Sequence, residues 1–277
     1  MTTNSNMVPE IALNDGAVIP QLGFGVWQIP QAAAAGVVAE ALRVGYRHID
    51  TAQLYGNEQG VGEAVLNSGL AREEVFVTTK CRNDAHGHAG AVRELENSLE
   101  RLGLDQVDLY LIHWPQPSLN LYVETWEGLI EARERGLTRS IGVSNFHAPH
   151  LERIISATGV APAVNQIELH PRLTQEPLVA ANRALGIQVE GWSPLANGQI
   201  LDEQSLQQIA AVHGRSVAQV VIRWHLQLGY IAIPRSARPA RMAANFDVFD
   251  FELAPEELHR ISALNRDSRT GGNPDDF

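Results

Sequence analysis

The chain has 277 residues, 44% of them hydrophobic and 19% charged, with a formal net charge of −11 and one cysteine. This composition supplies enough apolar surface for a sizeable core and excludes extensive disorder away from the ends. The acidic balance argues against binding nucleic acid or an anionic membrane through the overall field, and Cys81 cannot form an internal disulfide.

Residues 1–9 lack the basic-then-apolar order of a secretion signal, and no apolar run approaches the ~20 residues that span a bilayer. Both features lead us to expect a soluble cytoplasmic protein. A hairpin is expected first, with strands at 11–13 and 17–19 around Asn14, Asp15 and Gly16, because an Asp-Gly pair favours a tight reversal. Eight strand-like apolar runs follow, at 22–27, 47–51, 75–80, 107–114, 139–145, 163–168, 188–193 and 230–235. They are nearly continuous in apolar residues, as strands covered on both faces should be.

Helical stripes separate the runs. Val92, Leu95, Leu99 and Leu102 recur at intervals of three and four, as do Trp126, Leu129, Ile130 and Arg133, and Val217, Val220, Val221 and Trp224. Eight βα units without a linker, a repeat or a break in composition predict an α/β fold: one (β/α)8 TIM barrel over 1–277, with an N-terminal β-hairpin and a C-terminal loop. An open doubly wound sheet would announce dinucleotide binding with Gly-x-Gly-x-x-Gly, but GFGVWQ at 23–28 lacks the third glycine. A Tyr-x-x-x-Lys pair is also missing, since Tyr46, Tyr55, Tyr110, Tyr122 and Tyr230 are followed four residues later by Asp50, Gln59, Trp114, Trp126 and Pro234.

Chemistry in a parallel barrel sits at the carboxyl ends of the strands. The second run closes with Asp50 and leads to Tyr55, the third closes with Lys80, the fourth with His113 and Trp114, and the next two reach Ser144, Asn145 and Gln166. These groups suit carbonyl reduction, which needs a proton beside a hydride. A tyrosine holds its proton at neutral pH, a neighbouring Lys80 ammonium brings its pKa nearer to working pH, Asp50 keeps that lysine charged, and His113 orients the carbonyl oxygen. Any one of these residues is more often a solvated or paired structural group. Their joint spacing favours catalysis.

The run GYRHIDTAQLYGNE at 45–58, followed by Val61 and Gly62, resembles the signature of the aldo-keto reductases. The likeness continues through Lys80, LIHWP at 111–115, SIGVSNF at 140–146, NQIELHP at 165–171 and IPRS at 233–236. Within the family, GVAPAVN at 159–165 and NFDVFD at 245–250 are most similar to bacterial 2,5-diketo-D-gluconate reductases. The resemblance implies an NADPH-dependent enzyme, acting as a monomer on a small carbonyl substrate, with Asp50, Tyr55, Lys80 and His113 as its tetrad. It also implies that Ser144, Asn145 and Gln166 meet the nicotinamide carboxamide, that Trp192 stacks on the ring, and that Ser193 and Leu195 extend the cofactor surface. Trp27 and Trp114 become walls of the substrate pocket.

PRSARPAR at 234–241 concentrates three arginines in an acidic chain, and Arg235, Ser236 and Arg241 match the positions that take the adenosine 2′-phosphate, with Asn245 against adenine. Arg235 stands where relatives usually have lysine, and Ala244 where a glutamate is common, which weakens the expected closure over the cofactor. No metal site is expected, since His86 and His88 lack further spaced ligands and read as loop residues near the pocket rim. Cys81 reads as a buried thiol. The substrate expected first is a sugar-derived keto acid such as 2,5-diketo-D-gluconate, with a broad-specificity reductase of small aldehydes and dicarbonyls as the alternative. An NADPH-sensing regulatory subunit is the alternative from another class. The tail from residue 267 is expected to fold toward the pocket mouth and help select substrate.

Overall fold

The computed structural model describes residues 8–276; the first seven residues, within the stretch read above for a secretion signal, and Phe277 lie outside them. The chain opens with an antiparallel hairpin, β1 (Glu10–Ala12) and β2 (Val18–Pro20), set one residue outside the predicted strands because Leu13 and Ala17 belong to the reversal. Leu13 and Ile19 of the hairpin pack on Phe76, Ala163, Val164 and Ile231, where barrel strands begin. The hairpin therefore plugs the amino-terminal end of the barrel.

The eight barrel strands are β3 (Phe24–Gly25), β4 (His48–Asp50), β5 (Phe76–Cys81), β6 (Val107–Ile112), β7 (Thr138–Ser144), β8 (Val164–Glu168), β9 (Gln188–Trp192) and β10 (Ile231–Ala232), all parallel and hydrogen-bonded in sequence order. A parallel bridge from Leu22 to Ala232 closes the ring, with Gly23 N donating to Ala232 O at 2.9 Å and Ala232 N to Gln21 O at 3.0 Å. All eight predicted runs contain a strand. The first and last shrink to two residues, and the fourth stops at Ile112, which leaves His113 and Trp114 just beyond the ladder.

Around the ring lie α1 (Gln31–Val44), α2 (Glu58–Leu66), α3 (His88–Leu102), α4 (Tyr122–Glu134), α5 (Ala148–Thr158), α6 (Glu176–Ala184), α7 (Gln204–His213), α8 (Val217–Gln227), α9 (Pro239–Phe246) and α10 (Pro255–Ser262). The predicted stripe of α3 is buried, and so are Trp126 and Leu129 of α4 and Val220, Val221 and Trp224 of α8. Ser216 starts α8 in a capping box, its hydroxyl accepting from Gln219 N while Gln219 Oε1 accepts from Ser216 N. His88 is a correction: it opens α3 and pairs with Glu131 of α4 at 3.2 Å instead of lying in a loop. None of the described helices is long and apolar enough to cross a membrane.

Candidate active site

A short 3-10 turn at Gln53–Tyr55 carries Tyr55 out of β4, and its position is fixed from both sides. Gln53 Nε2 donates to Glu94 O and Ser98 Oγ, while Gln53 Oε1 accepts from Arg82 N. Asn57 accepts from Thr51 Oγ1 and donates to Val26 O and Ile29 O. Glu58, fully buried, accepts from Thr79 Oγ1 and pairs with Arg101. Much of the 45–58 run is thus scaffolding for one tyrosine.

Lys80, at 0% exposure, donates to Asp50 Oδ1 at 2.8 Å, Asp50 Oδ2 at 2.7 Å and Thr51 O at 2.9 Å. Those are as many hydrogen bonds as an ammonium has protons, so the charge reaches Tyr55 through space, 5.2 Å from its ring centroid. The Tyr55 ring meets the His113 ring edge-on at 5.7 Å. The four expected residues therefore share one corner of the barrel mouth.

Burial works to strip the Lys80 charge, but Asp50 outweighs it and raises the lysine above its ordinary range. Burial raises Tyr55 as well, and the opposing pull of Lys80 offsets only part of that rise. Lys80 thus pulls the phenol downward as expected, but burial, with Asp50 opposing the ammonium, leaves the net shift upward and the phenol protonated. Burial and the nearby Lys80 push His113 down to about 3, leaving a neutral imidazole. Cys81 is buried, its thiol pushed up to about 12 by burial, as befits an inert core group.

The expected carboxamide contacts are knitted into one network. Ser144 Oγ donates to Gln166 O, Asn145 Nδ2 donates to His113 O and Ser144 Oγ, and Trp192 Nε1 donates to Asn145 Oδ1 at 2.8 Å. Gln166 Nε2 donates to Asp50 Oδ2 at 2.8 Å and Glu190 Oε2 at 3.1 Å, and neither bond uses its carbonyl oxygen. Asn145 and Ser193 hold left-handed backbone at the ends of β7 and β9, and Leu195 is half-buried just beyond. Trp114 stands 6.5 Å from Trp192 at an angle, and Trp27 is 44% exposed at the end of the first strand run.

On the far side of the mouth Arg235 and Arg241 are exposed, Ser236 is half-buried and Asn245 is buried in α9. Among the described residues none of Arg235, Arg238 and Arg241 pairs with a carboxylate; Arg235 donates to Trp27 O. Arg238 and Arg241 at the start of α9, with Arg235 just before it, form a donor set that fits a phosphate.

Two acids escaped the sequence reading. Glu190 is buried mid-strand in β9, where nothing but an acid in an apolar run signals it. Glu168 is the other, and it anchors the tail that was expected to fold toward the pocket mouth: Thr270 N and Oγ1 both donate to it at 2.6 Å, and Gly271 lies so near Trp192 that a Cβ would stand 2.5 Å from the indole. Farther on, His147 and His150 converge on Asp275. Each ring accepts an N–H at its other nitrogen, His147 from Arg269 and His150 from His147 N, so each turns its remaining ring proton toward Asp275 and the pair forms a polar clasp on the tail.

The family model described as "Aldo/keto reductase family" matches residues 21–266. An aldo-keto reductase of Mycobacterium sp. (strain KMS) is 50% identical over 97% of this chain and 98% of its own length. Methylglyoxal reductase DkgA of Escherichia coli (strain K12) is 49% identical over 96% of this chain and 97% of its own. The solved Gox0644 protein, a point mutant in complex with NADPH, superposes with a TM-score of 0.93 at 46% identity, over 96% of this chain and 97% of that one.

Proposed function

The chain belongs to the aldo/keto reductase family, and from that premise we propose that it reduces small dicarbonyl compounds to alcohols with NADPH, methylglyoxal among them. The observation that carries the reading is the buried Lys80–Asp50 pair set against a protonated Tyr55, with neutral His113 across from it. Tyr55 gives the proton to the carbonyl oxygen, and Lys80 stabilises the phenolate left behind. His113, uncharged, donates a hydrogen bond that fixes the oxygen, and Asp50 keeps Lys80 charged. NADPH, when bound, supplies the hydride.

In this reading Gln166, Ser144 and Asn145 would hold the carboxamide, Trp192, Ser193 and Leu195 the ring side, and Arg235, Ser236, Arg241 and Asn245 the 2′-phosphoadenosine end. The favoured substrate rests on the printed name of the Escherichia coli relative and on an apolar rim: Trp27, Leu54 and Leu119 are exposed on loops that leave strand ends. The phrases at 159–165 and 245–250 favour 2,5-diketo-D-gluconate as a second substrate.

The test is a kcat/KM comparison of methylglyoxal, 2,5-diketo-D-gluconate and a neutral aromatic aldehyde, run on the wild type and on Tyr55→Phe. The dicarbonyls are expected to lead. The variant is expected to lose roughly 10²–10⁴-fold in kcat while binding NADPH unchanged. An aldehyde preference of orders of magnitude overturns the substrate; a fully active Tyr55→Phe overturns the proton donor; silence across the panel revives the NADPH-sensing alternative.

A further inference from the structure

The barrel interior holds one ionisable acid more than the proposed reduction uses. Glu190 lies beside Gln166 in the register of β8 and β9, at 0% exposure. Its Oε2 accepts from Gln166 Nε2, the same nitrogen that donates to Asp50. Its Oε1 has no hydrogen-bond partner and faces His48 Nε2 at 3.7 Å, and that nitrogen lies 3.1 Å from Thr78 Oγ1. The titratable groups around it are His48 and Asp50 from β4 and Lys80 from β5, with Tyr55 beyond Lys80; β10, its other neighbour in the sheet, brings only Ile231 and Ala232.

Among the described residues no cation is free to balance it. Lys80 makes its three hydrogen bonds to Asp50 and Thr51 O, and burial pushes His48 down to about 4, so its imidazole stays neutral. An ionised Glu190 would therefore leave the cluster with a net negative charge in a dry interior, whereas a protonated one leaves Lys80 and Asp50 in balance.

We propose that Glu190 is a positioning residue of the reduction, acting through Gln166 and Asp50: its own proton sets the charge that Tyr55 meets and so how readily Tyr55 gives up a proton. Burial, and then the Asp50 charge, push the Glu190 carboxyl up to about 8, so ionisation falls near working pH. Once ionised, Glu190 opposes formation of the phenolate. Gln166 is held between the two carboxylates in either state, which leaves its carbonyl oxygen to the cofactor side. This inference rests on Tyr55 being the proton donor.

The test is the pH profile of kcat/KM for carbonyl reduction in the wild type and in Glu190→Gln, which keeps the shape and the bond to Gln166 but stays neutral. Tyr55 loses its proton on the alkaline limb, and that limb is expected about one pH unit lower in the variant, the size of effect one buried charge exerts at about 10 Å. A uniform loss of activity with the limb in place overturns the proposal and leaves Glu190 a structural group. An infrared titration of the wild type with NADP+ bound covers the case of a variant that does not fold. A protonated-carboxyl band at pH 6 that vanishes by pH 9 supports the proposal, and its absence throughout overturns it. A wild type that reduces no carbonyl, with that band present, overturns the function above instead.

Discussion

Lys80 is the residue on which the site's charge depends, and its state is decided by competition. A lysine at 0% exposure would ordinarily give up its proton, and the bidentate contact to Asp50 prevents it. Asp50→Asn removes the countercharge and leaves an uncompensated ammonium in the barrel. The expected cost is about 3–5 kcal/mol, because breaking a buried pair from one side exposes the desolvation of the other. Urea unfolding measures it directly, and a change below 1 kcal/mol would mean that water reaches Lys80 and that the pair is not dry. Burial keeps the Tyr55 phenol protonated, because Lys80, engaged by Asp50, offsets only part of it. Sequence reasoning put an ammonium beside Tyr55 but had no means of seeing that Asp50 would engage it with both oxygens.

At the scale of elements, α2 controls how Tyr55 is seated, since the 3-10 turn runs into it through Asn57. Gly60 and Gly62 let α2 approach its neighbours: a Cβ on Gly60 would stand 2.7 Å from Ala34 Cβ, and one on Gly62 only 1.9 Å from Leu102 O. In an exposed helix Gly→Ala stabilises by about 1 kcal/mol. At Gly62 the neighbour is backbone that cannot rotate away, so Gly62→Ala is expected to destabilise by about 1–3 kcal/mol or more, read as a lower denaturant midpoint. A higher midpoint would show that α2 and α3 can slide apart. The strands were legible because burial on both faces leaves an apolar signature that loops cannot imitate. Their ends were not, because the register of β3 and β10 depends on closing the ring through Leu22 and Ala232, a contact across most of the chain. The convergence of Asp50, Tyr55, Lys80 and His113 was legible through their spacing. Glu190 was not, since an isolated acid in a strand acquires meaning only from what the barrel places opposite it.

For the whole molecule, the buried ionisable groups give stability a defined dependence on pH. Burial pushes His48, His86 and His225 down to about 4 and His113 to about 3, against 6.5 for a free imidazole. Below pH 6.5 the unfolded chain therefore takes up protons that the native barrel refuses, and native stability falls as the solution is acidified. Glu190 acts with the opposite sign. Its carboxyl ionises near 4.5 when free and at about 8 in the fold, so over that interval the native state keeps a proton that the unfolded chain has shed. Stability then declines as pH rises. Each fully shifted group contributes a slope of about 1.4 kcal/mol per pH unit. Between 4.5 and 6.5 the lowered histidines outnumber the one glutamate and the acid side is steep; between 6.5 and 8 Glu190 acts alone and the decline is shallow. Thermal melts across this range are expected to peak near pH 6.5. Glu190→Gln should flatten the alkaline side and, by removing the term that opposes the histidines, steepen the acid side; a wild-type melting temperature that climbed steadily to pH 9 would place Glu190 in contact with water.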